Sequence, residues 1–194
     1  MICLSSAELT AEALTSEAQV HGGDEVSAGD VLVCSTGLIG EPLPAGAVIN
    51  AIPLMASQLD SSVEAGELSS QAIMTTDSVP KRAERRFDVD GVEITIGGMA
   101  KGAGMLAPGL ATMLVVITTD AQLSSEQLDR ALREATRVSF DRLDSDGCMS
   151  TNDQVTLMAS GAAGVEPGYE QFAGELTELC LELAKALQAD AEGA

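Results

Sequence analysis

Apolar and polar positions alternate along the chain with two different periods, and the changes of period mark the elements. Ala7 to Val20, rich in Ala, Glu and Leu, reads as a helix that Ser6 can cap. Val31-Leu32-Val33-Cys34 is a short continuous apolar run, which predicts a buried strand with Cys34 as a reduced core residue. Pro44 to Leu59 reads as a helix with one proline near its start, a favoured place. The second proline, Pro53, is expected to kink or interrupt it. Val63 to Met74 follows as a further helix. Arg85 to Val89 and Val92 to Ile96 alternate polar and apolar residues across Asp90-Gly91, a strong hairpin signal. Met113 to Thr118 predicts another buried strand. Ser124 to Val138 predicts a helix opened by a capping box of Ser124 and Gln127. Gln154 to Met158 is a strand. Pro167 to Ala191 is a long amphipathic helix with Leu176, Leu179, Cys180, Leu183 and Leu187 on one face. The class is α/β or α+β, and the hairpin argues for a mixed or antiparallel sheet.

One stretch breaks both periods. Gly97 to Leu114 holds five glycines, one proline and a single cation, Lys101, and runs into the apolar segment Met113 to Ile117. Such a density of glycine describes a shaped loop and not a helix. The loop ends at Thr112, a hydroxyl set between it and a buried strand, and so a candidate nucleophile. Ser35-Thr36-Gly37-Leu38-Ile39-Gly40 follows the first predicted strand, where backbone N–H groups can be aimed at a ligand. On these residues alone an ordinary turn is the simpler reading.

Composition narrows the chemistry. The 194 residues suffice for one ordinary domain, and aromatics are 2% with no Trp, so Ala, Val, Leu, Ile and Met must build the core. A net charge of -20 repels polyanions, which argues against a nucleic-acid partner. Lys81, Arg82, Arg85 and Arg86 form the one basic cluster and are expected to decorate an exposed strand or loop. The single histidine, His21, makes Ser-His or Cys-His catalysis and a histidine-rich metal site poor explanations. Asp144, Asp146 and Gly147 sit like the start of a calcium loop, but the remaining ligands do not follow, so no metal is expected. No secretory leader and no apolar run long enough for a membrane are visible, and the reading is cytoplasmic.

Several segments together resemble one family. They are Ser35 to Gly40, Ile73-Met74-Thr75-Thr76-Asp77, Gly97 to Leu114, Thr118-Thr119-Asp120-Ala121, Ser150-Thr151-Asn152-Asp153 and Ala189-Asp190-Ala191-Glu192-Gly193. Their order and spacing from about Val31 onward resemble the bifunctional ornithine acetyltransferase/glutamate N-acetyltransferases of arginine biosynthesis. Ser78 departs slightly, standing where that family commonly has threonine or asparagine. The resemblance implies a mixed-sheet, layered αββα-type sandwich like that of N-terminal-nucleophile proteins. Members of the family carry more chain on both sides, so it also implies a single domain incomplete at both ends.

The resemblance further implies self-cleavage between Ala111 and Thr112, giving an alpha portion, 1–111, and a beta portion, 112–194. The portions are expected to associate, as a heterotetramer. Thr112 would then carry acetyl from N-acetylornithine to glutamate in a ping-pong cycle. Its freed α-amine, with an unperturbed pKa of roughly 7.7–8.0, would serve as base without a histidine. The family's oxyanion hole falls on Thr36 and Gly37, and its substrate-binding positions on Thr75, Lys101, Thr112 and Glu192. No cofactor is implied, although acetyl-CoA serves some members as donor. Two alternatives stay open: a related amidohydrolase with water as acceptor, and an inactive truncated chain.

Overall fold

The computed structural model describes residues 2–21, 23–36, 40–104, 113–145, 147, 148, 150 and 152–191. The chain groups into two compact units, Met1–Gly66 and Glu67–Ala194.

In the first unit, helix α1 (Ile2–His21) packs on α2 (Ala45–Ser57). The buried positions are Ser6, Ala7 and Ala11 on α1 and Ile52 and Ala56 on α2. Small residues there let two weakly amphipathic helices approach closely. The Thr15 hydroxyl ties the following loop back to α1, accepting from the Val26 N–H at 2.9 Å and donating to the Val26 carbonyl at 3.1 Å. Helix α2 runs through Pro53 without interruption, since one missing N–H near the C-terminal end removes a single hydrogen bond.

Two expectations fail in this unit. Residues 31–34 are not a strand: Leu32 is 63% exposed, and Cys34 is exposed and not a core residue. A strand exists only by pairing, and the one sheet among the described residues contains none of these positions.

Helix α3 (Val63–Ala72) leads into the second unit, a four-stranded mixed sheet in the order β1 (Lys81–Val89), β2 (Val92–Lys101), β3 (Leu114–Thr119), β4 (Gln154–Ala159). The hairpin forms as expected, with Val89 opposite Val92. Asp90 and Gly91 have φ of 53° and 85°, the positive pair that a type I′ turn requires. Strand β3 pairs antiparallel with β2, and β4 is parallel to β3 across a helical crossover, α4 (Ser125–Val138). The capping box is present: the Gln127 N–H donates to Ser124 Oγ at 3.3 Å and the Ser124 N–H to Gln127 Oε1 at 2.8 Å.

Helix α5 (Tyr169–Ala189) lies beside α4 on one face of the sheet. Its Leu176, Leu179, Cys180, Leu183 and Leu187 are wholly buried against Ile94, Ile96, Val115 and Ile117 of the sheet and Ala131 and Ala135 of α4. Burial pushes the Cys180 thiol up to about 12, so it is an inert core residue. The second unit thus supplies one mixed sheet and one helical layer of an α/β fold.

The glycine-rich stretch is not a loop throughout. Gly97 to Lys101 continue β2: Gly97 to Ala100 pair with Glu84 to Lys81 on one side, and Gly97 to Lys101 with Thr118 to Leu114 on the other. Here glycine permits close approach of a helix, not a turn.

Candidate functional site

The site is built at the end of the sheet where β2 stops and β3 starts. Lys101, the last residue of β2, lies opposite Leu114, which in turn lies opposite Gln154 of β4. Lys101 is 1% exposed, so it is neither a surface lysine nor a loop residue. Burial pushes its ammonium below the ordinary lysine value, with Lys81 adding to the effect and Asp77 and Asp153 opposing it. It makes no hydrogen bond or close ion pair with a described residue. A buried ammonium with no close partner among the described residues is costly, and a carboxylate-bearing ligand would relieve that cost.

The two carboxylates that act on Lys101 each hold one end of the stretch that follows it. Asp77 Oδ1 accepts the Gly102 N–H at 2.6 Å. Asp153 Oδ1 accepts the Met113 N–H at 2.8 Å. Asp77 Oδ2 also accepts the Thr75 N–H at 3.1 Å, so one side chain connects Thr75 with the end of β2. Burial works to raise the Asp77 pKa, but the Gly102, Lys81 and Thr75 donors outweigh it and hold the carboxyl below its ordinary value. For Asp153 burial prevails and the pKa is raised, despite the Met113 amide, Ser150 and Lys101.

Lys81 corrects the reading of the basic cluster. Its side chain is fully buried, with Nζ 2.7 Å from Asp77 Oδ1 and 2.5 Å from Asp190 Oδ2. Asp190 also accepts the Ser78 N–H at 2.9 Å and the Ser78 hydroxyl. Burial would raise the Asp190 pKa, yet the Lys81 and Ser78 donors lower it to about 2. Arg82, Arg85 and Arg86 do lie at the surface, paired with Glu67, Glu182 and Glu84.

Of the residues expected to form the site, Thr75 and Lys101 are brought together through Asp77. Thr36 is half-buried in the first unit. Gly37, Ala111, Thr112 and Glu192 lie outside the described residues. Asp77, Lys81, Asp153 and Asp190 were not singled out as site residues, although three of them stand within the family-like motifs.

The fold and these contacts define an α/β protein that gathers a buried lysine and carboxylates at the open ends of its strands, beside a glycine-rich stretch. Comparison with known proteins makes this specific. Residues 4–194 match the model of the ArgJ family, and the chain belongs to that family. It is 58% identical over 167 residues to the arginine biosynthesis bifunctional protein ArgJ of Streptomyces coelicolor, which covers 86% of this chain and 42% of that protein. It is 49% identical over 187 residues to the protein of the same name from Mycobacterium leprae, covering 96% and 45%. The chain therefore spans less than half the length of these curated relatives. An L-aminopeptidase D-Ala-esterase/amidase structure from Ochrobactrum anthropi overlaps 76% of this chain and 53% of its own at a TM-score of 0.40 and 16% identity, too distant to define a shared fold. Among the described residues, no helix is long and apolar enough to cross a membrane.

Proposed function

We propose that this chain carries the acetyl-transfer centre of its family: a self-processing threonine acetyltransferase that moves acetyl from N-acetylornithine to glutamate. The observation that carries the reading is the placement of Lys101. It is a buried cation at the head of the stretch containing Ala111 and Thr112, and Asp77 and Asp153 hold the amides on either side of that stretch. A cation so placed suits the α-carboxylate shared by both amino-acid substrates.

In this reading the Thr112 hydroxyl attacks the Ala111 carbonyl and the peptide bond becomes an ester. Water then hydrolyses the ester, leaving Ala111 with a carboxylate and Thr112 with a free α-amine. That amine, with an unperturbed pKa of roughly 7.7–8.0, takes the hydroxyl proton during acyl transfer. Thr36 and the Gly37 N–H stabilise the oxyanion, while Thr75 and Glu192 complete the substrate contacts. The two portions remain associated as a heterotetramer, acetyl-CoA is an alternative donor, and the cytoplasm is the place of action.

Intact mass and an acetyl-transfer assay test this together. Two species, residues 1–111 and 112–194, are expected, with N-acetylglutamate formed from N-acetylornithine and glutamate. Thr112→Ala should give one uncleaved, inactive chain. A single species in both, with no transfer, would overturn the proposal.

A further inference from the structure

Asp77, Lys81 and Asp190 form a buried ionic chain that the acetyl-transfer reading does not use. Lys81 bridges the two carboxylates, the Lys81 and Asp77 side chains are wholly excluded from solvent, and Asp190 is 8% exposed at its side chain. Buried ion sets are poor stabilisers, because desolvation offsets their attraction and apolar replacements of similar shape often fold as well or better. Asp190 is also the cap residue at the C-terminal end of α5, where the helix dipole disfavours a negative charge. Stability alone therefore does not account for the arrangement.

Its attachments do. Asp77 holds the amides of Thr75 and Gly102, the latter directly after Lys101. Asp190 holds Ser78 by its amide and hydroxyl, and stands two positions before Glu192. Lys81, four residues from Asp77, reaches Asp190 across 109 residues of sequence and so joins the two acids. The geometry points to Asp77, Lys81 and Asp190 as positioning residues, an ionic tether that sets Thr75, Lys101 and the C-terminal end of α5 at one spacing and so determines affinity for the amino-acid substrates. The role of the three is to hold the binding groups in place through their protein contacts. The inference rests on the acetyl-transfer reading for the identity of those substrates.

The test uses the full chain with Asp190→Asn and a triple variant, Asp77→Asn/Lys81→Met/Asp190→Asn, which removes the three charges together. For Asp190→Asn, KM for N-acetylornithine and glutamate should rise about tenfold with kcat within about twofold, as expected for loss of a charge-assisted contact that orders the binding groups. The triple variant should melt at or above the wild-type temperature and keep the raised KM. A triple variant with wild-type stability and wild-type KM would make the tether merely structural and overturn the inference, as would an unchanged KM in Asp190→Asn. If the wild type transfers no acetyl, the functional reading falls by itself, and substrate-induced thermal shifts decide the tether. A shift by N-acetylornithine or glutamate in the wild type that is lost in Asp190→Asn supports it. Equal shifts, or none in the wild type, refute it.

Discussion

A Cβ added to Gly98 would stand 3.0 Å from Leu179 Cδ2, so the middle of β2 and the middle of α5 meet across a bare Cα. The same methyl would meet Leu183 Cδ1 at 3.0 Å and Ile117 Cγ1 at 3.4 Å. Gly98→Ala should destabilise the chain by about 1–3 kcal/mol, the usual effect of overfilling a packed core. Gly97→Ala, one residue away and pointing to the other face, meets nothing within 4 Å and should stay within about 0.5 kcal/mol of wild type. Urea unfolding of the two variants checks this, and equal midpoints would refute the close-approach role of Gly98.

The Asp90-Gly91 turn, the Ser124–Gln127 cap and the leucine face of α5 were legible because each signal is local: a turn dipeptide, a three-residue spacing, a helical period. In sequence the glycines at 97 and 98 read as loop, because glycine serves both a turn and a close approach and only α5 shows which. Residues 31–34 looked like a strand because an apolar run does not reveal whether a partner strand exists. Lys81 looked like its surface neighbours Arg82, Arg85 and Arg86. Its defining partner, Asp190, lies too far along the chain for any spacing rule. Lys101 and Thr75 are substrate-binding candidates through the family resemblance alone, whereas nothing local marks Asp77 as the acceptor of the Thr75 and Gly102 amides.

Lys101→Met should separate function from stability. The ammonium is buried without a close partner among the described residues, so its removal should leave the melting temperature unchanged or raised. Acetyl transfer should fall at least tenfold through KM, since the carboxylate loses its cation. The pH dependence follows from the lowered lysine pKa. In the wild type the charged form, and with it substrate affinity, is lost as pH rises through a value below 10.5. Over that range the unfolded chain binds more protons than the folded one, so stability should rise with pH. A KM profile flat up to pH 10.5 would contradict this account.

Asp153 holds the amide of Met113, the residue directly after Thr112. Asp153→Ala removes that acceptor and should slow cleavage of the Ala111–Thr112 bond. Asp153→Asn keeps an oxygen at the same place and should cleave faster than Asp153→Ala. Intact mass followed over time distinguishes the variants. Cleavage of Asp153→Ala at the wild-type rate would show that the grip on Met113 does not orient the nucleophile.

The Asp190 carboxyl gives the chain a defined acid limit. Its folded pKa is about 2, against roughly 3.9 for an unfolded aspartate. A lowered carboxylate pKa contributes stability that is complete above the unfolded value and is lost as pH falls through the folded one. Asp77, also lowered, acts in the same direction. The wild type should therefore lose stability between about pH 4 and pH 2. Asp190→Asn should melt lower than wild type at pH 7, because Lys81 then faces an uncharged amide. As pH falls the wild-type carboxyl is itself neutralised, so the two melting temperatures should converge near pH 2. The comparison requires only thermal unfolding at several pH values. A gap between the two proteins that is as wide at pH 2 as at pH 7 would mean that Asp190 contributes through shape or hydrogen bonding, and not through the charge that Lys81 pairs.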